Sequence, residues 1–137
     1  MKYRADQFIR VVHALDPASY AAAAEAFTDG VDCKGYREAL VVIQCGAFTA
    51  TGDVEFDVEE SADDSTYADV TDATTGELVQ ADDQTTYMIR LDLTKRKRYI
   101  RVGYDVDDDA CIFGITVLLT DPIIRPATAS ATLSASV

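Results

Sequence analysis

The stretch Asp53-Val54-Glu55-Phe56-Asp57-Val58-Glu59 decides the fold class. Successive side chains of an extended strand point to opposite faces, so this segment sets Val54, Phe56 and Val58 on one side and four carboxylates on the other. Such a strand has one face for a core and one for water. The same period recurs over Thr85–Leu93, where Tyr87, Ile89, Leu91 and Leu93 oppose Met88, Arg90 and Asp92. It recurs again over Tyr99–Val106, where Ile100, Val102, Tyr104 and Val106 oppose Arg101, Gly103 and Asp105. Ala39–Cys45 and Ala110–Thr120 are apolar on both sides, which suits central strands.

Turn chemistry bounds each segment: Gly46 and Gly52, Asp63-Asp64-Ser65, Thr74-Thr75-Gly76, Asp82-Asp83-Gln84 and Asp107-Asp108-Asp109. No amphipathic crossover helix separates the strands, which argues against a parallel α/β sheet. The chain reads as all-β, an antiparallel two-sheet β-sandwich or jelly-roll-like fold with extended N- and C-terminal arms. Val54–Val70 reads as a hairpin and Thr74–Asp83 as the only sizeable loop. The expected divisions are an N-terminal arm over 1–30, the sandwich over 31–122 and an extended C-terminal tail over 123–137. In the first arm, Asp16-Pro17-Ala18-Ser19 has the form of a helix cap followed by proline. Ala21–Ala24 adds high helix propensity, so local rules predict a short helix from Pro17 to about Phe27. The tail is rich in small residues, with no apolar cluster to hold it on its own core.

The chain has 137 residues, 24 acidic and 12 basic, for a formal charge of −12. A hydrophobic content of 48% is too high for a disordered acidic chain, so one globular domain is expected. The negative charge disfavours binding to nucleic acid or to an acidic membrane surface. Apolar runs are far shorter than the ~20 residues that span a bilayer, and Arg10 and His13 interrupt any signal-peptide core. Cys33, Cys45 and Cys111 lack metal-binding or redox spacing and read as reduced, buried small hydrophobes.

Chemistry finds little foothold. His13 is the only histidine, with no nucleophile motif beside it, and no phosphate-cradling or zinc motif occurs. No catalytic residue, metal ligand or cofactor is therefore expected. Asp105-Val106-Asp107-Asp108-Asp109 offers oxygen ligands of the kind calcium prefers, but it lacks EF-hand spacing and reads as a tight acidic hairpin turn between two strands. Lys95-Arg96-Lys97-Arg98 is the one concentrated positive charge. It has two readings, a guard against strand-edge pairing or a landing point for an acidic partner. Further anchors for a partner are expected on the flanks at Phe8, Ile9, Val11, Val12, Ile123, Ile124 and Leu133.

Three stretches together resemble small virion proteins of tailed bacteriophages. They are Val31-Asp32-Cys33-Lys34-Gly35-Tyr36 before an apolar strand, Val58-Glu59-Glu60-Ser61-Ala62-Asp63-Asp64-Ser65-Thr66-Tyr67-Ala68-Asp69-Val70, and Arg96-Lys97-Arg98-Tyr99-Ile100-Arg101. Ala62 intervenes before the aspartate pair and no glycine follows it, a departure from the pattern. The resemblance covers roughly Val31 to Pro126 and implies a non-enzymatic head decoration or cement protein. Its implied place is the outer capsid surface of a virion, made in the bacterial host cytoplasm, with the major capsid protein and copies of itself as partners. The related-looking chains are extended over Ala21–Phe27, against the local helix rules. The competing reading is a receptor- or carbohydrate-binding sandwich of a head fibre or tail, which needs exposed aromatics such as Tyr67 or Tyr87.

Overall fold

The computed structural model describes residues 5–124. Nine strands alternate with short turns: β1 Arg10–Tyr20, β2 Ala23–Phe27, β3 Val31–Asp32, β4 Tyr36–Phe48, β5 Asp53–Ser61, β6 Ala68–Leu78, β7 Thr86–Asp92, β8 Tyr99–Asp107 and β9 Cys111–Pro122. They form two antiparallel sheets. One has the order β1-β9-β4-β7, and the other β2-β8-β5-β6 with β3 also paired to β8. This is the β-sandwich that the alternation of β5 predicts.

The inward sets of the two sheets meet in one core. Val54, Phe56 and Val58 of β5 and Ile100, Val102 and Val106 of β8 face Val41 and Ile43 of β4 and Phe113, Ile115 and Val117 of β9, all buried. Phe56 meets Phe113 edge-on, with ring centroids 4.9 Å apart and planes at 89°. Ile89, expected inside, is only half-buried because β7 is the outer strand of its sheet. Cys33, Cys45 and Cys111 are buried free thiols, and burial pushes them up to about 12, 11 and 11 respectively, so they stay protonated.

Two expectations need correction. The segment Pro17–Phe27 is not helical: its first part ends β1 and its last part is β2. Alanine's advantage in a helix is a few tenths of a kcal/mol per residue, and the tertiary partners of these residues outweigh it. Tyr20 stacks on Phe113 at 4.6 Å and its hydroxyl donates to the Asp16 carbonyl at 2.6 Å. Pro17 is tolerated because β1 is an edge strand with register shifts on either side of Leu15. Past β2, Thr28 ties the chain to β8, its N–H donating to the Val102 carbonyl at 2.9 Å and its hydroxyl accepting from Val102 N–H at 3.0 Å. The sandwich therefore begins at Arg10, inside what reads locally as an arm.

The second correction is to the loop over Thr74–Asp83. β6 continues to Leu78, which is buried opposite Val54. Gly76 has φ +67°, a left-handed conformation that glycine adopts freely, and the register with β5 shifts between Thr74 and Gly76. The turn residues Thr74-Thr75-Gly76 thus mark a bulge within a strand.

Because Phe56 is fully buried and joins the two sheets, Phe56→Ala is expected to lower stability by about 3–5 kcal/mol through lost transfer energy and a residual cavity. Urea denaturation of both proteins measures it, and a loss well under 1 kcal/mol would contradict this packing.

Candidate partner-binding surfaces

The three stretches that carry the virion-protein resemblance lie far apart in sequence and meet at one end of the second sheet. Val31 pairs with Ile100 and Asp32 with Tyr99, so the first stretch lies against the last. Asp32 accepts both guanidinium bonds of Arg98, at 2.9 and 2.8 Å, and the Lys34 N–H at 3.0 Å. The Arg98 hydrogen bonds hold the Asp32 carboxyl down to about 2. Gly35 follows at φ +91° and swings the chain into β4. In the β5–β6 turn, Asp63 Oδ1 accepts from Ser61 Oγ at 2.8 Å and from the N–H groups of Ser65 and Thr66 at 3.0 Å each. These bonds replace the glycine that the turn lacks, while Asp64 takes the left-handed conformation at φ 59°.

Arg101 ties the second and third stretches to each other and to β2. Its guanidinium carbon lies 3.8 Å from the ring centre of Phe27 and 4.1 Å from that of Tyr67, and its Nε donates to Glu59. The Tyr67 hydroxyl donates to Asp64, and a side chain at Gly30 would collide with both. Tyr87 donates its hydroxyl to the Asp82 carbonyl at 2.6 Å. Both aromatics that a sugar-binding reading needs are thus engaged within the chain.

The basic run is divided by the fold. Arg98 is held by Asp32, and Arg96 lies 3.7 Å from Glu60, which also accepts the Lys97 N–H at 3.0 Å. Two of the four cations therefore make ion pairs within the chain, Arg98 to β3 and Arg96 to β5. Lys95 and Lys97 keep exposed side chains. Sequence reading missed this because Asp32 and Arg98 are 66 positions apart, and nothing local marks them as a pair.

The flanking anchors divide as well. Val11 and Val12 lie within β1, opposite Leu118 and Val117 of β9, and Val12 packs on the core. Phe8 and Ile9 are half-buried. Val11, Ile123 and Ile124 are exposed, although the Ile123 N–H donates to the Gly35 carbonyl at 2.8 Å. Leu133 lies outside the described residues.

The outer face of the second sheet is acidic. Glu55, Asp57 and Glu59 of β5 stand beside Asp105 of β8, Asp69 of β6 and Glu25 of β2. Burial, then the neighbouring carboxylate, raises the Glu25 carboxyl, and burial likewise raises Asp57. Gly103 lies beneath them, and a side chain there would strike Asp57, Glu25 and Phe27. One carboxylate oxygen each from Asp57, Glu59 and Asp69 lie within 4.8 Å of one another. This is a different acidic group from Asp105–Asp109, whose last residues form the tight β8–β9 turn, with Asp108 at φ 58° and Asp109 N–H donating to the Asp107 carbonyl at 2.7 Å.

No known family model and no curated protein matches the sequence. Among solved structures, the chain is similar to a chain in the structure of infectious bursal disease virus, Gx strain, with a TM-score of 0.55 and 10% identity over 85% of this chain and 34% of that one. The Gt strain of the same virus gives 0.53 and 10% over 86% and 34%. The protein spans about a third of the length of these chains. At 10% identity the likeness is one of fold alone.

The Asp32–Arg98 pair makes a pH-dependent prediction. A carboxyl held near 2 when folded and near 3.9 when unfolded stabilises the fold above about pH 4, and that contribution disappears as pH falls toward 2. Both side chains are partly exposed, so Asp32→Asn is expected to cost less than ~1 kcal/mol at neutral pH. Urea titrations at several pH values should show the gap between variant and wild type closing in acid.

Proposed function

We propose that the protein is a non-enzymatic virion component, a decoration or cement protein that binds the outer surface of a tailed-phage head and reinforces contacts between capsid subunits. The observation that supports this reading is the two-sheet fold shared, over 85% of the protein, with a chain of a virus structure. The meeting of the three virion-type stretches around Asp32, Arg98 and Arg101 adds to it. Its partners are the major capsid protein and copies of itself. The acidic face suits an exterior position, since its carboxylates are repelled by a packaged phosphate backbone.

Attachment to a capsid uses Lys95 and Lys97, exposed between β7 and β8, and the exposed Ile123 and Ile124. Many such weak contacts, repeated around a symmetric shell, add up through avidity. The paired Arg96 and Arg98 act indirectly, by fixing the loop that displays the two lysines.

Incubating purified heads with the protein and locating it by electron microscopy tests the reading. Occupancy should fall as salt rises, because screening shortens to about 8 Å at physiological strength. The Lys95→Gln/Lys97→Gln variant should bind less at low salt and show a flatter salt curve. Removing Pro126–Val137 should lower occupancy while leaving the thermal transition in place. Absence of the protein from heads at every salt concentration would overturn the proposal.

A further inference from the structure

We propose that the outer face of the β1-β9-β4-β7 sheet is the contact surface for a second copy of this chain, joined face to face. This does not rest on the capsid reading. Strand register lays two rows across that face. Val11 lies beside Leu118, Leu118 beside Leu40, and Leu40 beside Arg90. In the next row His13 lies beside Thr116, Thr116 beside Val42, and Val42 beside Met88. Met88 is 61% exposed, Val11 52% and Ile112 43%, so the face presents uncovered apolar side chains on both edge strands and on β9 between them.

Charge decides in favour of a second copy. The cation within these rows, Arg90, is neutralised by Glu38 at 2.6 Å, and Arg37 at the margin lies 3.5 Å from Asp121. Asp92, in register with Glu38 beside Arg90, and Asp16, bonded to His13 at 2.7 Å, add two carboxylates to this face, so two such faces bring fewer unbalanced charges together than the opposite ones would. The opposite face of the sandwich would set Glu25, Glu55, Asp57, Glu59, Asp69 and Asp105 against their own copies, with Arg101 already committed to Glu59. For a chain of net charge −12, this sheet is the face on which self-association is least opposed.

Size and shape agree. Four strands spaced about 4.8 Å apart and roughly ten residues long give a face of roughly 650 Å² before side-chain relief, close to the ~800 Å² per partner of a standard interface. Gly114 on β9 leaves a recess bordered by Pro17, Val42, Gln44 and Thr116, while Ile112 stands out over Gly46 beside it. A two-fold contact needs both a projection and a recess on one surface, and this face has both.

Sedimentation of the purified full-length chain across a concentration series tests the proposal. A concentration-dependent dimer is expected, and Val11→Asp/Met88→Asp should raise its dissociation constant by at least about tenfold, or abolish it. Both positions are more than half exposed, and an unchanged circular dichroism spectrum and melting transition establish that the variant is folded. Thr71→Asp, on an exposed position of the acidic sheet, should leave the dimer of wild type nearly unchanged. A monomer at high micromolar concentration overturns the inference, as does a dimer that the folded Val11→Asp/Met88→Asp variant leaves intact. Either result leaves head binding to be judged by its own experiment.

Discussion

The edge-on contact of Phe56 with Phe113 joins the two sheets, and most of the sandwich is arranged around it. Phe113 is also stacked on Tyr20 and approached by Tyr104 at 5.6 Å, so one ring on β9 gathers β1, β5 and β8. Tyr20 anchors the end of the first strand, whose Val12 and Leu15 also pack on the core. Without an aromatic partner in the core, the alanine-rich sequence after it has little apolar mass to hold it extended, and burial of a ring outweighs the helix preference of several alanines.

With the interior fixed in this way, the remaining demand is electrostatic. The alternation that buries Val54, Phe56 and Val58 necessarily lines up Glu55, Asp57 and Glu59 outside. Like charges directly opposite one another across strands are destabilising, and Glu55 lies between Asp105 and Glu77. The fold tolerates this with a small number of well-placed cations. Arg101 sits at the margin of the acidic face between two aromatic rings, and Arg98 closes the far end by gripping Asp32. Most of the chain's arginines therefore work within the molecule.

Period-two strands were legible in the sequence because burial on one face leaves a repeating mark. The β5, β7 and β8 segments carry it, while β4 and β9 are apolar on both sides and read as central strands. What escaped was information held at a distance. The helix expected over Pro17–Phe27 follows from local propensities, while the Tyr20–Phe113 stack that overrides them links residues on different strands. Thr74-Thr75-Gly76 has the composition of a turn, yet its strand continues because Leu78 has a buried place opposite Val54. The basic run was visible as charge, but its division into paired arginines and exposed lysines depends on Asp32 and Glu60.

One sequence signal carries more meaning once the fold is known. Ala39–Cys45 is apolar on both faces, the mark of a strand covered twice, as in sheets with layers on either side. In this sandwich β4 is covered once: Ala39, Val41 and Ile43 face the core, while Leu40 and Val42 face outward among Leu118, Met88 and Ile112. The contrast with β5 is direct, since there the outward positions are carboxylates. A chain that places acids on one exposed sheet and aliphatic residues on the other has two surfaces with different solvation costs. The acidic one gains from contact with water, and the apolar one gains from contact with protein.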